Sequence, residues 1–357
     1  MTVVLYRPSL DARSGAGQLL EMQWRALAAA GVPAVIVCGH GAVRFWLRTG
    51  VRARRRSVTQ LEQLRGRGAV VVDHGMSLPS ADLVFVHNVA AEARLHSPHA
   101  GLDEAAKHER DFFAALNPAA TIVANSELVA GALHSHFGIA RERMTVLYPG
   151  YRSRYSLPRA AELRNAARAA LGVEANTPLV GFVTSGNFPK RGLDLFLDCA
   201  AQLAAARRDL RFLVVGSKEL PAYARSHALV RDGVVRYRPK SGNVERWFAA
   251  LDLFLYAARF EEFGMVIAEA QAMGVPVLTS RLVGASECLP DVYAPWLLDR
   301  PEPAAMAERA LALLADPPLR TRLAAAAAAS VVAFNDRAYG AGTRTLLALA
   351  AQNRRLK

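Results

Sequence analysis

Short apolar runs rich in β-branched residues alternate with longer helical stretches along the whole chain, and this alternation constrains the fold more than any other feature. The runs of the first half cover residues 3–6, 34–38, 69–73, 83–87 and 121–125, and those of the second half cover 179–185, 211–217, 234–238, 251–257 and 275–280. Such continuous runs are typical of strands buried on both faces, which are parallel and joined by crossover helices. Because the pattern occurs twice, the sequence predicts the α/β class, with two Rossmann-like, doubly wound domains facing each other across a cleft.

The boundary between the two sets of strands follows Tyr148-Pro149-Gly150, where the alternation weakens into a charged segment. A chain of 357 residues is also longer than one core usually supports. We therefore expect a first domain over residues 1–160 and a second over residues 161–335. Residues 336–357 read as one terminal helix with a basic end, which could pack back on the first domain.

The composition, with 52% hydrophobic and 21% charged residues, is that of a globular protein. The sequence contains no run of 18 apolar residues that would predict a spanning helix, and its amino terminus reads as a strand rather than a signal peptide. The three cysteines are far apart, which favours buried thiols in a reducing compartment. Neither a CxxC pair nor a cluster of histidines and cysteines suggests a metal site.

The net charge of +13, from 44 Lys and Arg against 31 Asp and Glu, favours anionic partners such as nucleotide phosphates, anionic lipids or nucleic acid. The excess is concentrated in residues 41–70, which hold eight arginines and one acid, Glu62. Within Arg44–Arg56, the rings of Phe45 and Trp46 among the arginines are typical of a segment at a membrane interface. A solvated basic surface explains the same residues, and a nucleic-acid surface is disfavoured because no nucleic-acid motif accompanies them.

Two segments that directly follow predicted strands are suited to bind phosphate. Gly15 and Gly17, in Ser14-Gly15-Ala16-Gly17, would let the backbone approach a phosphate or a sugar, although a tight turn that caps the next helix explains them equally well. Lys190 and Arg191 precede Gly192 and a new helix, so their charges would add to the free N–H groups of a helix amino terminus. We interpret the Lys-Arg pair as a diphosphate clamp rather than as an ordinary solvated surface pair.

Glu261 and Glu269 lie in RFEEFGMVIAEAQAMGVPVLTS (259–280), a segment that otherwise reads as a buried loop, helix and strand. An ionised carboxylate is costly to bury unless it is neutralised or hydrogen-bonded. A glycosidase pair would need carboxyl groups roughly 5–9.5 Å apart, whereas eight helical residues rise about 12 Å. The spacing therefore favours two acceptors placed along one extended ligand, with Gly264 freeing backbone N–H groups at the helix start.

The segment EEFGMVIAEAQAMGVPVL, with Glu261 and Glu269 as its E-x7-E pair, resembles the signature of the retaining glycosyltransferases of family 4, which have the GT-B fold. Further similar segments are FVTSGNFPKRGLDLF (182–196), IVANSELVAGAL (122–133), VLYPGY (146–151) and LVGASECL (282–289). The chain departs from the family in its Lys-Arg order, which is usually Arg-Lys, and in Pro149-Gly150, where Asn-Gly is usual. The resemblance covers nearly the whole chain and is strongest to lipopolysaccharide-core glucosyltransferases.

The resemblance implies roles for individual residues. Glu261 would lie near the donor sugar, with the adjacent Glu262 as the alternative if the loop is shifted by one residue, and Glu269 would bind the ribose. His87 would lie near the transferred sugar, with Glu92 as an alternative acid, although His87 could also be a hydrogen-bonded residue at a strand end. The donor-binding residues implied in this way are Gly15, Ala16, Gly17, Ser185, Lys190, Arg191, Tyr237, Arg238, Glu261, Phe263, Gly264, Met265, Val266 and Glu269.

The resemblance also implies an activity: transfer of a hexose, with retention, from a nucleotide sugar such as a UDP-sugar to a cell-surface glycan or glycolipid. The first domain would bind the acceptor and the second the donor, without a metal or other cofactor. The enzyme would act in the cytoplasm or at the inner face of a bacterial cytoplasmic membrane, in lipopolysaccharide biosynthesis. The alternatives are a nucleic-acid-binding protein, which we do not expect, and a catalytically idle partner protein on the same scaffold.

Overall fold

The structure, a computed structural model, describes residues 2–97 and 101–355. The chain divides into two compact units. Unit 1 comprises Met1–Gly150 together with Asn335–Lys357, and unit 2 comprises Tyr151–Phe334. Each unit is built on one parallel sheet, so the α/β class expected from the repeated alternation is confirmed.

The sheet of unit 1 has seven parallel strands in the described residues, in the order β3-β2-β1-β4-β5-β6-β7. The strands are β1 (Val3–Ser9), β2 (Ala34–His40), β3 (Ala53–Arg55), β4 (Val70–Asp73), β5 (Leu83–Val86), β6 (Thr121–Ala124) and β7 (Met144–Val146). The apolar side chains of the inner strands β4, β5 and β6 are buried, as expected when helices cover both faces. The strand order reverses beside β1, which pairs with both β2 and β4.

The helices of unit 1 cover the two faces of this sheet. They are α1 (Gly15–Ala29), α2 (Ala42–Thr49), α3 (Val58–Gly66), α4 (Ala90–His96), α5 (Leu102–Ala115), α6 (Glu127–Phe137) and the last helix of the chain (Asp336–Arg355), with a 3-10 turn at Arg141–Arg143. Several begin at the capping residues that sequence rules favour; Ser14, for example, accepts a hydrogen bond from the Gly17 N–H at 3.0 Å. The last helix packs on α1, where the Gln23 side-chain amide donates to the Tyr339 hydroxyl at 2.9 Å.

The sheet of unit 2 has five parallel strands in the order β10-β9-β8-β11-β12. They are β8 (Leu179–Val183), β9 (Arg211–Gly216), β10 (Val235–Pro239), β11 (Leu253–Leu255) and β12 (Val277–Leu278). Here the order reverses beside β8, which pairs with β9 on one side and β11 on the other. In open parallel sheets, ligands bind beyond the carboxyl ends of the strands at such a reversal, so the segments that follow β8 and β11 are the expected binding region.

Unit 2 has four helices of 13–15 residues and five shorter ones. In chain order they are α7 (Leu157–Leu171), α8 (Phe188–Arg191), α9 (Leu193–Ala206), α10 (Ala222–Arg225), α11 (Ala228–Arg231), α12 (Glu245–Ala250), α13 (Met265–Ala272), α14 (Pro303–Ala315) and α15 (Pro317–Val331); the terminal helix of unit 1 is then α16. The 3-10 turns are Gly284–Cys288, Asp291–Trp296 and Val332–Phe334. Among the described residues, no helix is long and apolar enough to cross a membrane.

Of the twelve strands in the described part of the chain, the sequence pattern identified ten and missed two. Both missed strands, β3 and β7, are three residues long and lie at the edges of the first sheet. β3 (Ala53–Arg55) falls in the arginine-rich segment, where the apolar signal is weak because an edge strand keeps its side chains partly in water. The three cysteines, Cys38, Cys199 and Cys288, are buried free thiols, as predicted.

Candidate functional site

The candidate site of unit 2 is built from the two loops that follow β8 and β11. Asn187 stands at φ 51°, in the left-handed region, and its side chain accepts from the Lys190 N–H at 3.3 Å. Gly192 has φ 70°, and a Cβ at this position would lie 2.0 Å from the Ala257 carbonyl oxygen, so only glycine fits. These constraints turn the single-turn helix α8 towards the β11 loop and bring Lys190 and Arg191 to it.

Lys190 forms a buried ion pair with Glu262. Its Nζ lies 2.8 Å and 2.6 Å from the two carboxylate oxygens, and the two side chains are only 10% and 3% exposed. The ammonium also lies 5.7 Å from the centroid of the Phe260 ring. Removing one member of such a pair would leave a buried charge without its contact partner, which is far costlier than breaking a surface pair.

Arg191 forms a second ion pair, with Glu261, whose carboxylate also accepts from the Tyr256 hydroxyl at 3.2 Å. Burial alone would lower the pKa of Arg191, but the Glu261 carboxylate outweighs it and raises that pKa, so the guanidinium stays charged. Burial raises the pKa of Glu261, and Arg191 opposes this rise. The sequence left Glu261 and Glu262 as alternatives in one role; the structure gives each glutamate its own cation.

Helix α13 begins directly after this charged cluster. Its N-cap, Gly264, has φ 90°, and a Cβ there would lie 3.1 Å from both Glu261 Cγ and Val283 Cγ1. Because Gly264 has no side chain, it caps none of the first N–H groups of the helix, which begins with Met265 and Val266. The helix amino terminus thus adds its partial positive charge beside the two ion pairs.

Glu269 lies further along α13, where its side chain is buried with the residue only 8% exposed. The Tyr155 hydroxyl donates a hydrogen bond to the Glu269 carboxylate. The positive charges of Lys240 and Arg154 also stabilise the ionised carboxylate, although neither forms a contact ion pair with it in the described residues. Burial raises the pKa of Glu269 to about 7, against the opposing effect of these cations. This carboxyl group therefore changes charge near neutral pH, unlike a solvent-exposed glutamate.

Sequence reasoning missed the partners of Glu269. Tyr155 is 4% exposed and lies in an irregular segment that carries no recognisable signal. Arg154 donates to the Tyr155 hydroxyl at 3.3 Å, and its guanidinium lies 5.2 Å from the centroid of the same ring. Lys240 directly follows β10, so the strand-end rule that selected Lys190 and Arg191 could have found it.

The other implied donor-binding residues of unit 2 lie at different places around the strand ends. Ser185 is exposed in the loop after β8, and Phe263 is buried beside Gly264. The Tyr237 hydroxyl donates to the Ser217 carbonyl oxygen, at the end of β9. Arg238 donates to the Ala170 carbonyl oxygen at 3.0 Å and lies 5.9 Å from the centroid of the Trp247 ring, so its guanidinium already has local partners.

In unit 1, Gly15, Ala16 and Gly17 form the start of α1, after the β1 loop. A Cβ at Gly17 would lie 2.0 Å from the Asp11 carbonyl oxygen, so a tight turn by itself explains this glycine. The sequence is compatible with a turn and with a ligand site at these glycines; the turn is present in the structure.

His87 follows β5 and is paired with a second histidine that the sequence did not indicate. His87 Nε2 lies 3.0 Å from His74 Nδ1, and the two rings are stacked with centroids 5.3 Å apart. Burial, and then the charge of Arg7, lowers the pKa of His87 to about 3; burial also lowers that of His74 well below its ordinary value. Both imidazoles are therefore neutral, and one ring donates to the other.

Glu92 lies in the first turn of α4, between two histidines. Its carboxylate oxygens are 2.8 Å from His96 Nε2 and 2.6 Å from His136 Nε2. Burial by itself would raise the pKa of Glu92, but the hydrogen bonds from the two histidines lower it. Since His136 is on α6, this carboxylate links two helices of unit 1. Within residues 2–97 and 101–355, no group of three or more His, Cys, Asp or Glu side chains is arranged to hold a metal ion.

Comparison with known proteins defines the class of this fold. The structure is similar to WaaG, a glycosyltransferase involved in lipopolysaccharide biosynthesis, with a TM-score of 0.73 and 20% sequence identity over 98% of each chain. It is also similar to Anabaena Alr3699/HepE in complex with UDP-glucose, with a TM-score of 0.79 and 18% identity over 98% of this chain and 100% of that one. The two α/β units therefore have the GT-B fold of these proteins.

Residues 177–316, within unit 2, match the family described as glycosyl transferases group 1. The curated relatives include the D-inositol 3-phosphate glycosyltransferases of Streptomyces scabiei (32% identity over 227 residues, 60% of this chain and 50% of the relative) and of Xylanimonas cellulosilytica (31% over 221 residues, 58% and 52%). The chain thus spans about half the length of the curated relatives it matches. The resemblance to family 4 is thus confirmed for the segment of unit 2 that matches the group 1 glycosyltransferases.

Proposed function

We propose that this protein is a retaining glycosyltransferase that moves a hexose from a UDP-sugar to a glycan or glycolipid acceptor. Unit 2 would bind the donor and unit 1 the acceptor. The observation that carries the proposal is the group of two buried Lys/Arg–Glu ion pairs at the β8–β11 reversal, directly beside the start of α13. These residues also lie in the segment that matches the family.

The chemistry required of such a site is stabilisation of negative charge on a departing nucleotide diphosphate. Lys190, Arg191 and the amino terminus of α13 supply positive charge from fixed positions in a largely buried environment, where electrostatic interactions are strong. In a front-face transfer with retention, the leaving phosphate oxygen accepts the acceptor's proton, so no protein nucleophile is needed. Glu262 and Glu261 hold the two cations in place before the donor binds, which reduces the reorganisation that binding requires.

The two ends of the E-x7-E segment would contact different parts of the donor. Glu261, which is anchored by Arg191 and Tyr256, would accept hydrogen bonds from hydroxyl groups of the transferred sugar. Glu269 would accept from the ribose hydroxyls, for which an ionised carboxylate offers several lone pairs. The neutral His87 of unit 1 would donate to the transferred sugar, since its partner His74 leaves one ring position of His87 for a ligand.

The acceptor we propose is the core of a lipopolysaccharide or a similar glycolipid. The enzyme would reach this acceptor as a peripheral protein on the inner face of the cytoplasmic membrane. The similarity to WaaG supports this choice. The curated relatives are named for D-inositol 3-phosphate, so this compound is the natural competitor in an acceptor assay. Transfer to the inositol phosphate and not to a lipopolysaccharide core would contradict the proposed acceptor but not the proposed reaction.

The donor is tested first by a thermal-shift series with UDP-, GDP-, ADP- and TDP-sugars, in which we expect the largest stabilisation from a UDP-sugar. Calorimetry then measures the affinity of the UDP-sugar for the variants Arg191→Ala and Glu269→Ala. Each substitution should lower this affinity by roughly 10–100-fold, because hydrogen bonds to charged groups contribute about 1.5–3 kcal/mol. Glu261→Gln should lower turnover more than nucleotide affinity. Arg208→Ala, an exposed arginine of unit 2, is the matched control and should change neither.

Unchanged donor affinity in both Arg191→Ala and Glu269→Ala would show that the donor site is elsewhere. The alternatives predict different results. A nucleic-acid-binding protein would retain nucleic acid on a filter at physiological salt and give no shift with nucleotide sugars. A catalytically idle partner protein would bind the donor without any turnover.

A further inference from the structure

Helix α2 of unit 1 exposes an apolar stripe to solvent. Val43, Trp46 and Leu47 are 67%, 44% and 70% exposed, and their i, i+3, i+4 spacing places them on one face of the helix. Phe45 is 1% exposed and faces the unit, so the expectation that its ring and that of Trp46 lie together at a membrane interface is wrong for Phe45. Its burial instead anchors the helix and turns the stripe outwards.

Exposed arginines surround this stripe. Arg44 and Arg48 lie on α2 itself, Arg52 lies in the turn that follows, and Arg54 lies in β3. Because β3 pairs with β2 alone in the described sheet and forms its edge, these side chains stand at the border of the unit. The α2–β3 surface, defined as residues 43–54, thus combines three large apolar side chains with four guanidinium groups.

We propose that the α2–β3 surface docks on an anionic lipid bilayer, with Val43, Trp46 and Leu47 inserted among the headgroups and the arginines on the lipid phosphates. Three adjacent large apolar side chains gain no favourable interaction from water, whereas the interfacial region buries them and accommodates the amphipathic indole. Guanidinium groups match phosphate geometry and are attracted by the negative surface potential. Nucleic acid would use the arginines but leave the apolar stripe in water, so the stripe favours the bilayer.

This inference deepens the proposed function, on which its membrane placement rests, by assigning the contact to one surface. The two can fail separately, because vesicle binding is measured without donor or acceptor. An enzyme that transfers the sugar but does not bind vesicles would contradict only this inference. Vesicle binding without transfer would contradict only the proposed function.

The first experiment is co-sedimentation of the full chain with phosphatidylcholine vesicles that contain phosphatidylglycerol, compared with phosphatidylcholine alone. We expect binding to the anionic vesicles only, and a decrease as salt is added. The triple variant Arg48→Ser, Arg52→Ser and Arg54→Ser should bind at least about tenfold more weakly. The matched control, Arg208→Ser, Arg231→Ser and Arg322→Ser, removes the same charge from exposed positions of unit 2 and should bind as the wild type does.

The stripe is tested by Val43→Ser, Trp46→Ser and Leu47→Ser, which keeps every charge and should also lose at least about tenfold in vesicle affinity. An unchanged affinity would overturn the inference, since it would mean that net charge alone drives the binding. An equal loss of vesicle affinity in the arginine variant of the α2–β3 surface and in its control in unit 2 would overturn the inference for the same reason. A melting temperature and a UDP-sugar shift equal to those of the wild type establish that the variants are folded.

Insertion is tested by quenching of tryptophan fluorescence with lipids brominated in the upper part of the acyl chain. The wild type has four tryptophans, and we expect quenching that disappears in Trp46→Phe, which retains an aromatic ring and the fold. Quenching that persists in this variant would place the contact at another surface. Tighter binding to single-stranded DNA than to the vesicles at physiological salt would favour nucleic acid and overturn the membrane assignment.

Discussion

Glu261 lies in the loop before α13 and Glu269 lies within that helix, and their buried charges are compensated in different ways. Glu261 and its neighbour Glu262 each contact a cation, Arg191 and Lys190 respectively. Glu269 instead receives a hydrogen bond from Tyr155 and interacts with its cations at longer range. Glu261 and Glu262 are therefore neutralised by direct ion pairs, whereas the carboxyl group of Glu269 can exchange a proton near neutral pH.

Burial alone therefore does not decide the charge state of a carboxylate. Burial raises the pKa of both Glu261 and Glu269, but only at Glu261 does a contact cation, Arg191, oppose the rise; the pKa of Glu269 reaches about 7. What distinguishes them is the distance to the compensating charge, because the attraction between charges falls with separation while the desolvation cost of each does not. Four predictions test this contrast between the two glutamates.

The largest effect should come from Lys190→Met, which leaves Glu262 buried without its contact cation. We expect a loss of about 3–5 kcal/mol in the free energy of unfolding, measured by urea denaturation at neutral pH. The double variant Lys190→Met with Glu262→Gln should recover most of this loss, since no buried charge then lacks its partner. A loss below about 1 kcal/mol in the single variant would mean that the pair is as well solvated as a surface pair.

The control for this measurement is Arg207→Met. Arg207 pairs with Asp209 at 2.5 Å, but the two side chains are 32% and 55% exposed. Exposed ion pairs contribute at most about 1 kcal/mol, so this variant should be nearly as stable as the wild type. A similar loss in Arg207→Met and Lys190→Met would contradict the distinction between buried and exposed pairs.

The second effect is a pH dependence that originates at Glu269. Its pKa is raised from 4.5 to about 7 in the folded protein, so the folded chain binds more protons than the unfolded chain between these values. The contribution of Glu269 to the free energy of unfolding is fully present below pH 4.5. It decreases by roughly 3 kcal/mol in total as the pH rises through about 7. Glu269→Gln should remove this pH dependence from the free energy of unfolding.

Donor affinity should change with pH in the opposite direction. If the ribose hydroxyls require the ionised carboxylate, UDP-sugar affinity should rise up to about tenfold per pH unit on the approach to pH 7 and then level off. Calorimetry at several pH values measures the slope, and Glu269→Gln should bind weakly with a flat profile. An identical slope in that variant would assign the titration to another group.

The smallest effect should come from Tyr155→Phe, which removes one hydroxyl and keeps the ring. The loss of a single hydrogen bond to Glu269 should weaken donor binding and stability by about 1 kcal/mol, and the pKa of Glu269 should rise further because a stabilising donor is gone. The midpoint of the pH profile in calorimetry would then move to higher pH. A midpoint that moves to lower pH would contradict the hydrogen bond.

The sequence was sufficient for the fold class, and it also pointed to Lys190, Arg191 and Glu261, whose binding roles are proposals. The repeated apolar runs predicted two parallel sheets because a strand that is buried on both faces must be apolar throughout, whatever it packs against. Lys190, Arg191 and Glu261 were recognisable because a strand end followed by a helix is a local pattern. The short edge strands β3 and β7 escaped notice because they bury too few side chains to leave such a pattern.

The pairing of those residues depends on the folded structure and could not be predicted from the sequence. Lys190 and Glu262 are 72 residues apart in the chain, and nothing local to either one specifies that they meet. The same holds for His74 with His87, for Tyr155 with Glu269, and for the outward face of α2, which depends on where Phe45 packs. Periodicity is written residue by residue in the sequence, whereas the compensation of a buried charge depends on distances that exist only after the sheets have formed.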